Sequence, residues 1–146
     1  MKFSLTFRKL EKKELEGALP LLLQLRPHLT PELFQDLYAA QSKLGYELHG
    51  AFFADKLVGL AGMRTVATLA RGPHLHLDDL VIASGLRSKG LGGQLLAYAE
   101  NEAASRGLGK LFLDARKDAI PFYEHEGYSF HPAPLMAKEI RRRDGA

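Results

Sequence analysis

The stretch "HLHLDDLVIASGLRSKGLGGQLL", residues 74–96, reads as a strand, a glycine-rich loop and the opening of a helix. His74, His76 and Asp78 alternate with Leu75 and Leu77, the period-2 pattern of a strand, and the run closes on the wholly apolar Leu80, Val81 and Ile82, as a central strand does. A helix then follows from about Gly90 to Arg106, with Leu91, Leu95, Ala99 and Ala103 at inward spacing. Arg87, Ser88, Lys89, Gly90, Leu91, Gly92 and Gly93 lie across that helix start. Backbone amides at a helix N-terminus can grip an anion, and glycines let it approach closely.

Working outward, "GLGKLFLDA" predicts a turn and a buried strand, completing a strand–helix–strand unit. Upstream, residues 3–7 alternate as a first strand. Leu15, Ala18, Leu19 and Leu22 then share a helical face that Pro20 kinks or delays. A second helix is capped by Thr30, opened by Pro31 and stopped by Gly45, with Leu33, Leu37 and Leu44 as its expected stripe. "YELHGAFFADKLVGLAGMRTVATL" predicts a hairpin turning around Ala54, Asp55 and Lys56. Downstream, "KDAIPFYEHEG" is a short helix ended by Gly127, and "YSFHPAPLMAKEI" offers one or two final strands. The order β-α-α-β-β-β-α-β-α-β predicts an α/β fold with a central sheet and helices on both faces, in one domain spanning residues 1–146.

Composition narrows the function. The 146 residues are 46% hydrophobic and 25% charged, ordinary values for a globular protein. No apolar run approaches the ~18 residues of a membrane span, and the charged start is not that of a signal peptide. The absence of cysteine excludes disulfides, thiolate catalysis and cysteine-ligated zinc, and fits a cytoplasmic setting. Although the net charge is +3, no basic–aromatic stripe points to nucleic acid. Glu124, Glu126 and the histidines lack convincing metal-ligand spacing, so no metal is expected.

Two phosphate-loop readings fail on spacing. Lys89 precedes Gly90 where a P-loop needs its lysine after the last glycine, and Gly90-x-Gly92 lacks the third glycine of a dinucleotide fingerprint. What fits is R-x-x-G-x-G at residues 87–92, after "DDLVI" and before an amphipathic helix, with "DAIPFYEHEGYSF" downstream. Together these resemble the GNAT superfamily of N-acetyltransferases, over the whole chain in element order and most specifically from "HLHLDDLVI" through "FYEHEGY".

The resemblance implies a mixed, mostly antiparallel central sheet of the acyl-CoA N-acyltransferase kind and acetyl-CoA as cosubstrate. Residues 87–93 would hold the pyrophosphate, and the backbone of Leu80, Val81 and Ile82 the pantetheine arm. It implies direct transfer to an amine acceptor, a small molecule or a protein amine, and leaves room for a homodimer. On the strand, Asp78 is the first candidate for the base and His76 the second; regular alternation places both with Leu80 on one face, and a bulge would exchange Asp78 with Asp79. Tyr123 stands where the family carries the acid that protonates the departing sulfur. Arg116 occupies a position that is often asparagine in the family, so that cofactor contact is not carried over. The alternative is a coenzyme A-binding regulatory or interaction module without catalysis.

Overall fold

A computed structural model of the chain describes residues 4–143, so Phe3, at the head of the expected first strand, lies outside the described residues. The described residues fall into two compact units, divided between Asp114 and Ala115.

The first unit is a five-stranded sheet in sequence order: β1 (Thr6–Lys9), β2 (Glu47–Phe53), β3 (Lys56–Thr68), β4 (Gly72–Ile82) and β5 (Leu111–Leu113). The first three pairings are antiparallel and β4–β5 is parallel. The sheet is thus mixed and mostly antiparallel, as expected. Ala54 and Asp55 join β2 to β3 with φ of 49° and 65°, the left-handed pair that matches the twist of a two-residue hairpin.

Helices α1 (Leu15–Leu22) and α2 (Pro31–Ser42) cover one face. There Leu48, Leu60 and Val81 pack with Ala18, Leu19, Leu21, Leu22 and Tyr46. Thr30 caps α2 by accepting from Leu33 N at 3.1 Å. The expected stripe of α2 is corrected, however: Leu33, Leu37 and Leu44 are 37%, 45% and 77% exposed. The buried side is Phe34 with Tyr38, whose ring centroids lie 5.8 Å apart, and Tyr38 continues onto Tyr46 at 5.9 Å. Two aromatic rings bury more apolar area than two leucines, so they set the helix's rotation.

The opposite face carries α3 (Leu91–Ser105), the crossover that a parallel strand pair requires. Its expected inward residues Leu91, Leu95, Ala99 and Ala103 are all buried. A polar chain also ties α3 to the sheet. His49, 3% exposed, lies 2.6 Å from Tyr98 Oη through Nδ1 and 2.9 Å from Glu47 Oε1 through Nε2. Arg106 closes the chain with a 2.9 Å bond to Glu47. Burial and the charge of Glu102 push the Tyr98 phenol up, so it stays protonated.

The second unit holds a 3₁₀ turn (Lys117–Ala119) and α4 (Ile120–His125), ended at Gly127. The final strands expected downstream are absent among the described residues. Phe130, Leu135, Met136 and Ile140 are exposed, and Pro132 and Pro134 remove two backbone donors from the segment.

Candidate active site

The site of interest in the first unit is the place where β4 and β5 part. They pair only over Leu75↔Leu111, His76↔Phe112 and Leu77↔Leu113, whereas β3 accompanies β4 as far as Ile82. Residues 79–82 therefore have a ladder partner on one side alone. Leu80, Val81 and Ile82, the residues expected to present their backbone, lie in this one-sided stretch.

The same point carries a β-bulge. Gly62 pairs with Asp79 and Met63 with Leu77, leaving Asp78 as the extra residue in β4. This corrects the expectation from regular alternation. Asp78 still lies near His76, but Asp79 also turns toward the α1–α2 face, where it reaches Tyr46. Val81 belongs to the core on that face, so alternation sends Leu80 to the α3 side.

His76 and Asp78 come together with two residues not singled out from sequence. His76 Nε2 lies 3.8 Å from Asp78 Oδ1 and 3.7 Å from Oδ2 of Asp114, the residue that follows β5. Arg64, the β3 partner of His76, donates to both oxygens of Asp78, at 2.8 Å from Nε and 3.2 Å from Nη2. That hydrogen bond, reinforced by the charges of Asp78 and Asp114, raises Arg64 above the ordinary arginine range. Asp78 is therefore a carboxylate held at both ends, whereas the distances leave His76 Nε2 without a hydrogen bond to either acid. His74, by contrast, is structural: it is 2% exposed, lies 3.0 Å from Gly72 O through Nδ1, and packs edge-on against Phe112.

Beside this group, Asp79 accepts from Tyr46 Oη at 2.6 Å and from Arg26 Nε at 3.0 Å. Arg26 also donates through Nη2 to the Asp78 carbonyl, at 2.9 Å. Burial first, then the charge of Asp79, pushes the Tyr46 phenol well above its usual range, which keeps it a donor. Tyr46 reaches Asp79 by crossing Gly62. A Cβ there would collide with Tyr46 Oη and stand 2.6 Å from its Cζ and 2.8 Å from Asp79 Oδ2.

The loop continues from β4 through a 3₁₀ turn (Ser84–Leu86) into α3. Gly90 precedes the first helical residue at φ 79°, and no side chain caps the helix there. Its first-turn amides, at Leu91, Gly92 and Gly93, are the donors that a helix start leaves without intrahelical partners. A Cβ on Gly90 would meet no protein atom within 4 Å, so the glycine serves the left-handed turn and leaves open space above it. Ser88, at φ 64°, and Lys89 are exposed, and Leu91 is buried, so it can offer a ligand only its backbone. The Arg87 side chain donates to Ile82 O at 3.3 Å and to Gln24 Oε1 at 3.4 Å, bracing the loop against the end of β4.

In the second unit, Tyr123 is half-buried on α4, its ring 5.1 Å from Phe122 and 5.9 Å from Tyr128. Its carbonyl accepts from Tyr128 N at 2.9 Å as the helix ends. Arg116 precedes the 3₁₀ turn, with Nε 3.7 Å from Asp118 Oδ1.

A one-sided strand end thus leads into an uncapped, glycine-rich helix start within a mixed α/β sheet protein. Residues 11–128 match the acetyltransferase (GNAT) family, and the chain belongs to it. It is 35% identical over 116 residues to the uncharacterized N-acetyltransferase YhdJ of Bacillus subtilis, covering 77% of this chain and 82% of that protein. It is 31% identical over 78 residues to the glucosamine 6-phosphate N-acetyltransferase of Trypanosoma brucei brucei, covering 52% of this chain and 53% of that one. A solved acetyltransferase of Trypanosoma brucei superposes with a TM-score of 0.74 at 25% identity, over 93% of this chain and 100% of its own. Acetyl transfer is therefore the reaction class, and among the described residues no helix is long and apolar enough to cross a membrane.

Proposed function

We propose that the protein moves an acetyl group from acetyl-CoA to a primary amine by direct attack in a ternary complex. The observation that carries this reading is the parting of β4 from β5 after Leu77, which exposes one backbone edge leading straight to the α3 start. The pyrophosphate would lie on the amides of residues 87–93, where the helix dipole and open space above Gly90 favour an anion. The pantetheine arm would run along the backbone of Leu80, Val81 and Ile82.

The nitrogen lone pair attacks the thioester carbon, the C–N bond forms, and the C–S bond breaks. His76 is favoured over Asp78 as the base that removes the amine proton, because both oxygens of Asp78 are engaged by Arg64. With a proton on Nδ1, Nε2 is free to accept, and Asp78 and Asp114 at 3.8 and 3.7 Å stabilise the imidazolium that forms. Exposed Asp114 also attracts the acceptor as its ammonium form. Tyr123 supplies the proton that the leaving thiolate takes. The amine acceptor is a small molecule or a protein amine, and a cytoplasmic setting agrees with the reading.

Thiol release from acetyl-CoA across a panel of amino sugars, amino acids, polyamines and peptides tests the proposal. Turnover with at least one amine is expected, and His76→Gln lowers kcat/KM by about 10²-fold or more. Tight coenzyme A binding with no turnover across the panel would favour a binding module instead. A His76→Gln enzyme as active as Asp78→Asn is impaired would return the base to the carboxylate.

A further inference from the structure

We propose that Arg26 and Tyr46 are positioning residues which, through Asp79, hold the β4 bulge and so fix His76 and Asp78 for the reaction. This rests on the reading of His76 as base given above. A bulge leaves its extra residue outside the ladder, and nothing in a β-strand itself prevents a one-residue slip that would turn side chains to the opposite face. Arg26 supplies the missing restraint. One planar guanidinium donates to the Asp78 carbonyl at 2.9 Å and to the Asp79 carboxylate at 3.0 Å, fixing two successive residues relative to each other. Tyr46 pins the second carboxylate oxygen at 2.6 Å, across the space that Gly62 leaves clear.

Every element of this restraint comes from a different part of the chain. Arg26 lies between α1 and α2, Tyr46 directly precedes β2, and Gly62 belongs to β3. The Asp79 carboxylate accepts at one oxygen from the Arg26 guanidinium and at the other from the Tyr46 phenol, which suits it to bracing rather than to taking a proton from substrate. If the bulge relaxed, Asp78 would leave Arg64, and His76 Nε2 would lose one of its two carboxylate neighbours.

The test compares Arg26→Gln, Tyr46→Phe, Asp79→Ala and Asp79→Asn with the unaltered protein. The readouts are amide hydrogen exchange, the ring resonances of His76, and steady-state kinetics on an amine that the panel identifies. The first three variants should exchange faster over residues 76–82, with α3 protection unchanged, and should shift the His76 ring signals. Their kcat should fall by about 10²-fold, the scale of a small misplacement of reacting groups, while KM for acetyl-CoA stays within a few-fold. Asp79→Asn keeps an oxygen for Arg26 and offers an amide to the Tyr46 oxygen, so it should retain most of kcat. Loss in Asp79→Asn as deep as in Asp79→Ala would make Asp79 a proton acceptor and overturn the proposal. Unchanged exchange at 76–82, or faster exchange with full kcat, would also overturn it. A wild-type protein without turnover would refute the reaction proposed above, and the exchange and His76 signals would then decide the positioning alone.

Discussion

Replacing Gly62 by alanine adds one methyl group where Tyr46 crosses β3 to reach Asp79. The new Cβ would collide with Tyr46 Oη, with Tyr46 Cζ at 2.6 Å and Asp79 Oδ2 at 2.8 Å. Tyr46 cannot swing aside cheaply, because it is 6% exposed and packed among Leu48, Leu60 and Val81. Forcing a methylene-sized group into a filled core costs about 1–3 kcal/mol. Displacing Tyr46 also breaks its bond to a carboxylate, worth roughly 1.5–3 kcal/mol. One movement does both, so the two costs overlap, and a destabilisation of about 3 kcal/mol is expected. For a chain of this size that lowers Tm by roughly 10 °C. Urea unfolding followed by circular dichroism measures it. Tyr46→Phe removes the nearest clashing atom, so the double variant should be less destabilised than the sum of the single ones. A Gly62→Ala protein within about 0.5 kcal/mol of wild type would show that Tyr46 does not lie across β3 as described.

Tyr123→Phe, which keeps the ring, should lower kcat by about 10²–10⁴-fold with acetyl-CoA affinity little changed; near-normal turnover where chemistry limits the rate would make Tyr123 a packing residue. Gly90→Val should weaken coenzyme A binding by calorimetry by roughly five- to thirtyfold, the equivalent of the ~1–2 kcal/mol that a helix start gives an anion, and unchanged affinity would remove the pyrophosphate from this loop. The hydrogen bond from Arg8, with that from Glu11 N, holds the Glu14 carboxyl down to about 2 from its ordinary 4.5. A lowered carboxylate pKa stabilises the fold above its unfolded value, so this contribution is present above about pH 4.5 and lost as pH falls toward 2. Carbon NMR should find the Glu14 midpoint near the lower value, Glu14→Gln should flatten stability across that window, and a midpoint near 4.5 would contradict the Arg8 pairing.

Local pattern carried most of the first unit. The alternation of residues 74–77, the turn at Ala54 and Asp55, and the spacing of Leu91, Leu95, Ala99 and Ala103 each depend on near neighbours, and each element formed as read. The rotation of α2 did not follow from leucine spacing, because Phe34 and Tyr38 are chosen by rings that lie on other elements. His76 and Asp78 stood out as polar residues on a strand otherwise built for burial. Asp114 and Arg64 did not, since their roles arise from register: His76 pairs with Arg64 on β3 and with Phe112 on β5, and no sequence period encodes those offsets. Arg64 left one faint sign, a lone charge after "LVGLAGM". The bulge was foreseeable only as an alternative, because Gly62 and Asp79 must meet before it has a cause.

A diffraction structure of the protein with coenzyme A bound probes the reading at its base. The pyrophosphate should lie on the amides of Gly90, Leu91, Gly92 and Gly93, with the pantetheine arm along residues 80–82 and the sulfur at the point where β4 and β5 separate. Coenzyme A bound elsewhere on the sheet, or with its phosphates away from the start of α3, would contradict it.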